Sequence, residues 1–125
     1  RDRIYIQNDN DEQSFIAAFD KRTGDEIWRV NRKEGSNWST PFVWENELRT
    51  EIVTSGSDKV RSYDLSGKLL WEPELPAASF ATPATYMING KQYVAMACGG
   101  TKLGTKKGSQ IAPSLVVKPT YNCAY

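Results

Sequence analysis

A tandem repeat constrains the fold of this chain more than any other feature of its sequence. The segment Ile16–Trp28 returns as Val60–Trp71, and both copies read aromatic residue, Asp, short turn, Gly and then Trp. A second marker, Ser39-Thr40-Pro41, returns as Ala81-Thr82-Pro83. The tryptophans lie about 43 residues apart and the Thr-Pro pairs about 42 apart, so two independent markers share one period.

The segments between these markers have the composition of β-strands. Glu51–Ser55 and Gln92–Ala97 are β-branched or aromatic in character; Gly56 follows the first directly and Gly99 follows the second after Cys98. Asn89-Gly90 predicts a two-residue type I′ hairpin in which both residues take φ > 0. A period in the low forties that is built from strands is the length of one four-stranded propeller blade. We therefore predict an all-β fold, a partial β-propeller of antiparallel four-stranded blades, about two and a half in number.

The repeat divides the chain into three parts. We expect an incomplete first blade over 1–34 that lacks its innermost strand, a complete blade over 35–76, and a last blade with a divergent tail over 77–125. A propeller usually needs at least about four blades to close its ring, and 125 residues fall short of that. We therefore expect packing against further propeller blades, or self-association of the chain.

Asp20 and Asp64 are the first candidates for a catalytic pair of carboxylates. They occupy the same place in successive repeats, however, and a reaction needs its catalytic residue once. A turn-forming residue is needed in every blade. We therefore interpret both side chains as acceptors for backbone N–H groups, with Gly24 and Gly67 supplying the left-handed conformation of the turn.

The stretch Ala18–Trp28, which reads Ala-Phe-Asp-x-x-Thr-Gly-x-x-x-Trp, resembles the repeat of pyrroloquinoline-quinone-type propellers. That family includes quinoprotein alcohol and glucose dehydrogenases and non-enzymatic scaffolds, and the resemblance covers about Ile4 to Ser109. It implies that Trp28 and Trp71 pack between adjacent blades. A buried indole N–H also needs an acceptor, which the backbone of a neighbouring blade can supply.

A sharper resemblance begins at Phe80–Tyr86 and continues through Asn89–Val94 to a Gly-Lys loop that contains Gly99-Gly100 and Lys102–Lys106. It is similar to the closing region of membrane-bound quinoprotein dehydrogenases and of exported propellers. In those relatives a last strand follows soon after the loop, whereas here Gln110–Pro113 replaces the expected aromatic and β-branched run. Leu115–Val117 is our predicted substitute strand, and Pro113 and Pro119 would confine it to the edge of a sheet.

The family resemblance implies pyrroloquinoline quinone and calcium as cofactors of the parent protein. The acidic stretch Asp9-Asn10-Asp11-Glu12 is rich in oxygen ligands, but it lacks the regular spacing of an EF-hand and is read as a solvated turn. The chain contains no histidine, which excludes a Ser-His-Asp system and a histidine-bearing zinc site. We assign no catalytic, cofactor-binding or metal-binding residue, and expect no cofactor in this chain.

The loop Gly99–Gly108 approaches a phosphate-binding pattern, but its Lys falls one position late and no helix pattern follows. We interpret it as a connection between strands, with Lys102, Lys106 and Lys107 solvated. The two cysteines leave two alternatives open. Either Cys98 and Cys123 form one disulfide in an exported chain, or Cys98 is buried in a strand and Cys123 is loose near the terminus.

Asn37-Trp38-Ser39 satisfies the glycosylation sequon. We interpret it instead as the start of a strand, and expect Trp38 and Trp44 to pack against the sheet.

Sixteen basic and fifteen acidic residues leave a net charge of +1, which gives no electrostatic case for binding nucleic acid. No apolar run is long enough to span a membrane.

The repeat and the family resemblance leave two possible functions. The first is a non-catalytic segment that serves as a scaffold or binding module of a periplasmic or secreted protein. The alternative is a fragment of a quinoprotein dehydrogenase acting on an alcohol or sugar, inactive alone.

Overall fold

The protein is described by a computed structural model that covers residues 2–75, 78–100 and 111–122. Regular structure in these ranges consists of strands that form three antiparallel sheets. The strands are β1 (Arg3–Asn8), β2 (Ser14–Asp20), β3 (Glu26–Arg32), β4 (Phe42–Glu45), β5 (Thr50–Thr54), β6 (Arg61–Tyr63), β7 (Leu69–Trp71), β8 (Ala84–Ile88), β9 (Lys91–Gly100) and β10 (Ile111–Asn122). The all-β prediction is confirmed for the described residues, and none of them belongs to a helix that could cross a membrane.

The second sheet has the predicted form of a blade. Its strands run β4-β5-β6-β7, each antiparallel to the next. The first sheet has the order β1-β2-β3 and the third has the order β10-β9-β8. Trp28 in β3 and Trp71 in β7 stand at equivalent positions, so β2 and β3 correspond to β6 and β7.

The predicted hairpin and the predicted substitute strand are both present. Asn89 and Gly90 have φ values of 49° and 70°, and Ile88 pairs with Lys91 across the turn. Both φ values are positive, as a type I′ turn requires. Within β10, Leu115–Val117 pair with β9, and the register shifts next to each proline, so this strand lies at the edge of its sheet.

Strand β5 contributes side chains to both hydrophobic clusters, one shared with the first sheet and one shared with the third. Ile52 points to a cluster with Ile16 of the first sheet and Tyr63 of its own sheet. Val53 points to the opposite side, into a cluster that includes Trp44 together with side chains of the third sheet, Val94, Met96 and Cys98. Because neighbouring residues of a strand face opposite sides, one strand contributes to the core on both sides.

Both repeat tryptophans lie between sheets, as the resemblance implied. The Trp28 ring contacts the second sheet, and its indole N–H donates a hydrogen bond of 2.9 Å to the Leu65 carbonyl. Trp71 packs against the cluster shared by the second and third sheets, but its N–H donates at 2.8 Å to Glu51 Oε2 of its own sheet. The expected backbone acceptor on a neighbouring blade is therefore right for Trp28 and wrong for Trp71.

The expectation for Trp44 is confirmed and that for Trp38 is wrong. Trp44 is 4% exposed, whereas Trp38 is 81% exposed. The neighbours of Trp38 in the chain, Asn37 and Ser39, are both buried. Because their side chains face the interior, the side chain between them is directed to solvent.

Candidate functional site

The Asp20 and Asp64 carboxylates organise turns. Asp20 Oδ1 accepts the backbone N–H groups of Arg22 and Thr23 at 2.8 and 3.0 Å. Asp64 Oδ1 accepts the Ser66 hydroxyl at 2.6 Å and two backbone N–H groups. The Thr23 N–H lowers the pKa of Asp20, and the Ser66 hydroxyl lowers the pKa of Asp64, because these bonds favour the ionised form. Each carboxylate therefore serves its own turn, as predicted from the repeat.

The densest group of buried charges lies between the first and second sheets. We name it the inter-sheet ionic cluster and define it as Asp9, Arg32, Glu34 and Arg61. Its side chains are 0%, 1%, 0% and 12% exposed, in that order. Asp9, Arg32 and Glu34 follow or end strands of the first sheet, and Arg61 lies in β6 of the second sheet. The cluster therefore crosses the interface between two sheets.

Arg32 is held from three directions. Its Nη1 donates to Thr54 Oγ1 at 2.6 Å and its Nη2 donates to the Ser55 carbonyl at 3.1 Å. Its Nε lies 3.2 Å from Asp9 Oδ1, close enough for an ion pair but poorly aligned for a hydrogen bond. The guanidinium of this first-sheet residue is therefore bound to the end of β5 in the second sheet.

Glu34 makes a contact of opposite charge across the same interface. Its carboxylate pairs with Arg61 Nη1 and accepts the Ser57 backbone N–H at 2.8 Å. Gly56 lies against this carboxylate so closely that a Cβ there would collide with it. Two buried carboxylates and two guanidinium groups thus compensate one another, as buried charges require.

A perturbed pKa inside this cluster raises the question of acid–base chemistry. Burial raises the pKa of Asp9, although Arg32 and the Gln7 amide act in the opposite direction. Such a shift is a common mark of a functional carboxylate. Asp9 Oδ2 is covered by Gln7 Nε2 at 2.6 Å, however, and the side chain is wholly enclosed. In this arrangement the four charged side chains of the cluster contact one another and connect the first and second sheets.

A further buried carboxylate belongs to the second sheet alone. Glu51 is 0% exposed and accepts the Trp71 indole N–H at 2.8 Å and the Ser62 hydroxyl at 2.5 Å. Arg49 Nε adds an ion pair at 3.0 Å. This carboxylate thereby fixes the orientation of the indole that packs toward the third sheet.

The oxygen-rich stretch after β1 does not fit a calcium ion. Asp9 belongs to the ionic cluster, Asn10 Oδ1 accepts the backbone N–H groups of Glu12 and Gln13, and Asp11 Oδ1 accepts that of Ser36 at 3.2 Å. Across the described ranges no group of three His, Cys, Asp or Glu residues is arranged to hold a metal. A polar cleft of about 660 Å³ borders this stretch. The buried charged residues in its wall, Arg32 and Glu34, are already paired, so the described residues around this cleft do not fit the family's cofactors.

Other candidates from the sequence have clear positions. Asn37 Nδ2 donates to the Ser79 carbonyl at 3.0 Å and the residue is 6% exposed, so the sequon amide is engaged inside the protein. Cys98 is buried in β9, which confirms that part of the second alternative, and burial raises the pKa of its thiol. Gly99 and Gly100 close β9. The rest of the Gly99–Gly108 loop, with its three lysines, and Cys123 lie outside the described residues.

The inter-sheet ionic cluster was missed from the sequence. Arg32 and Glu34 stand in the polar run Asn31–Gly35, which reads as solvated linker. A signal was present only for the separate buried carboxylate of the second sheet, Glu51, which is a charge next to the apolar pair Ile52-Val53 of a predicted strand. A charge at such a position indicates a buried partner.

Comparison with known proteins places these features in a family. The family model described as "Glucose/ethanol/alcohol dehydrogenase, beta-propeller domain" matches residues 49–94. The quinoprotein glucose dehydrogenase of Escherichia coli (strain K12) is 45% identical over 78% of this chain. Quinoprotein glucose dehydrogenase A of Acinetobacter calcoaceticus is 50% identical over 78% of this chain. The chain spans 15% and 14% of the lengths of these two relatives.

A solved structure, that of a europium-containing methanol dehydrogenase, superimposes with a TM-score of 0.56 at 25% identity. The superposition covers 69% of this chain and 15% of that one. The three antiparallel sheets therefore form a partial propeller, with one blade of four described strands and two sheets of three. By its repeat, its fold and these relatives, the chain belongs to the pyrroloquinoline-quinone-type β-propeller repeat family.

Proposed function

We propose that the chain is a framework segment of a quinoprotein dehydrogenase-type propeller and has no activity by itself. Of the two functions considered from the sequence, the relatives favour the dehydrogenase fragment over an unrelated scaffold. Within such a propeller, these sheets would hold neighbouring blades in register. Substrate oxidation, with quinone and calcium, would depend on residues elsewhere in the parent protein.

One observation carries this proposal. The residues that recur in both copies of the repeat, Asp, Gly and Trp, all serve contacts within or between sheets, as in the 2.9 Å bond from the Trp28 indole to Leu65 of the next sheet. The buried charges have the same role, because Arg32 and Glu34 are bound across the same interface. Neither set leaves an acid and a base exposed to a substrate.

The proposal extends to partners and location. Ile4 and Ile6 lie on one side of β1 and are 49% and 43% exposed, an apolar surface of the kind that a further blade, or a second copy of the chain, would cover. Resemblance to exported propellers supports a periplasmic or secreted parent. Size-exclusion chromatography at high protein concentration tests the self-association, and a strictly monomeric chain would count against it.

Two measurements test the framework role. Quinone, calcium, glucose and an electron-accepting dye are added to the isolated chain, and we expect no quinone-dependent reduction of the dye. Saturable, quinone-dependent reduction would overturn the proposal. In the second measurement this chain replaces the matching segment of the Escherichia coli relative. We expect a folded chimera that retains glucose oxidation, and a folded but inactive chimera would favour the scaffold function.

A further inference from the structure

Two aromatic rings remain outside the packing that uses the other described tryptophans. Trp38 is 81% exposed and Phe80 is 48% exposed, and their ring centroids lie 6.1 Å apart with the planes inclined by 46°. The two residues occupy the same position in successive repeats, directly before Ser-Thr-Pro and Ala-Thr-Pro. We name them the aromatic pair. Neighbouring exposed rings of this size are typical of binding surfaces.

The backbone beneath the aromatic pair is fixed by hydrogen bonds. Asn37, which precedes Trp38, donates from Nδ2 to the carbonyl of Ser79, which precedes Phe80, at 3.0 Å. Asn37 Oδ1 also accepts the Ser39 N–H at 2.9 Å. Ser79 is anchored in turn by its hydroxyl, which donates to the Ala97 carbonyl at 2.8 Å. The two rings therefore stand on a preorganised base that links successive sheets, which lowers the entropic cost of binding.

The two segments that carry the aromatic pair are themselves uncharged and contain several hydroxyl groups, and the carboxylate oxygen that reaches them, Asp11 Oδ1, is occupied by the Ser36 N–H. The segments 36–41 and 78–83 contain no Asp, Glu, Lys or Arg. Thr40 and Thr82 are exposed, each two residues beyond its aromatic ring. A cationic ligand would find no carboxylate in these segments, and an anionic ligand would find no basic side chain. A neutral ligand with an apolar ring face and a polar rim matches this set of groups.

We propose that the aromatic pair binds neutral pyranose rings of an oligosaccharide, independently of any quinone. The C–H face of a pyranose would lie against the indole or phenyl ring, while its hydroxyl groups bond to the threonine hydroxyls and the exposed indole N–H. This is an accessory binding surface and is separate from the chemistry of the parent enzyme.

The test is a titration of the full chain with maltotriose and with cellotriose, without quinone or calcium, followed by ¹⁵N-detected shifts of the indole N–H groups. We expect saturable binding that moves the Trp38 resonance, identified by its loss in Trp38→Phe. Trp38→Ala and Phe80→Ala should each weaken binding by about tenfold, whereas Trp38→Phe should stay within about threefold of the unchanged chain.

Leu48→Ala is the matched control, since Leu48 is an apolar side chain that is 65% exposed on another loop. We expect it to leave binding unchanged. Because Trp38 is largely in solvent, its substitution should also leave the unfolding midpoint unchanged, and the wild-type shifts give a readout that needs no variant. The proposal is overturned if neither sugar binds saturably, if binding leaves the Trp38 resonance unmoved, or if choline binds there in their place.

Discussion

The indole N–H of Trp28 and the carbonyl oxygen of Leu65 are joined by a hydrogen bond of 2.9 Å across the first and second sheets. Arg3 Nη1 donates to the same oxygen at 2.6 Å. Leu65 belongs to the turn that Asp64 and Gly67 shape within the second sheet. This turn therefore connects β6 to β7 in its own sheet, and its Leu65 carbonyl also accepts hydrogen bonds from side chains of two strands in the first sheet, β1 and β3.

Removal of the indole N–H tests this bond. Trp28→Phe keeps an aromatic ring between the sheets but leaves the Leu65 carbonyl without that donor. We expect the free energy of unfolding to fall by about 1 kcal/mol, the usual net value of a neutral hydrogen bond. Trp71→Phe should cost about 2 kcal/mol, because its lost acceptor is the buried Glu51 carboxylate. Urea unfolding measures both, and equal or reversed costs would contradict the assignment.

Substitution of the two repeat glycines by alanine compares backbone strain alone, at Gly24, with backbone strain plus a clash with the Trp28 ring, at Gly67. Gly24 and Gly67 have φ values of +79° and +88°, so alanine is strained at either position. A Cβ at Gly24 meets open space, whereas one at Gly67 would lie 2.9 Å from Trp28 Cε3. We expect Gly24→Ala to cost about 1 kcal/mol and Gly67→Ala roughly 1 to 3 kcal/mol more.

The measurement is urea unfolding of both glycine variants, together with the fluorescence of Trp28. Only Gly67→Ala should change the Trp28 emission, since only that substitution displaces the ring. Equal costs for the two variants would show that the contact between Gly67 and Trp28 has no energetic role.

The inter-sheet ionic cluster makes a prediction about buried charge. Glu34→Gln removes a carboxylate that is 0% exposed and leaves the Arg61 guanidinium poorly compensated. We expect a loss of about 3 kcal/mol in the free energy of unfolding. Glu72→Gln is the control, because Glu72 also pairs with Arg61 but is 41% exposed, and it should change stability by less than about 1 kcal/mol. A Glu34→Gln variant as stable as Glu72→Gln would contradict the role of the cluster.

Acidification separates the two kinds of aspartate. The pKa values of Asp20 and Asp64 lie below their ordinary value of 3.8. Between the folded pKa and 3.8, the folded state therefore binds fewer protons than the unfolded state. Their contribution to stability is present above pH 3.8 and is lost as the pH falls through the folded pKa. The double variant Asp20→Asn/Asp64→Asn should therefore lose less stability on acidification than the wild type.

The pKa of Asp9 is shifted in the opposite direction from those of Asp20 and Asp64, so Asp9 provides a comparison. Its folded pKa is raised, so its contribution declines as the pH rises from 3.8 through the folded value. Asp9→Asn should remove that decline. Urea midpoints between about pH 2 and pH 6 measure all three proteins, and an unchanged acid response of the double variant would argue against the turn bonds.

The repeat allowed the fold to be predicted because its elements depend on local chemistry. Asn89-Gly90 determines a type I′ turn by itself, since both positions tolerate positive φ. Asp20 and Asp64 accept N–H groups within four residues of their own position. The candidate sites were harder, because Arg32 binds Thr54 and Glu34 binds Ser57 across more than twenty positions of the chain.

The sequence by itself determined the period, the strands and the turn-forming roles of Asp20 and Asp64, whereas the place of Trp28 and Trp71 between sheets came from the family resemblance. Only the tertiary structure decided which charges are buried, that Trp71 finds Glu51 as its acceptor, and that Trp38 faces solvent while Trp44 does not. The physical reason is distance along the chain. Turns and strand alternation follow from neighbouring residues, whereas burial and ion pairing depend on which sheets the packing brings together.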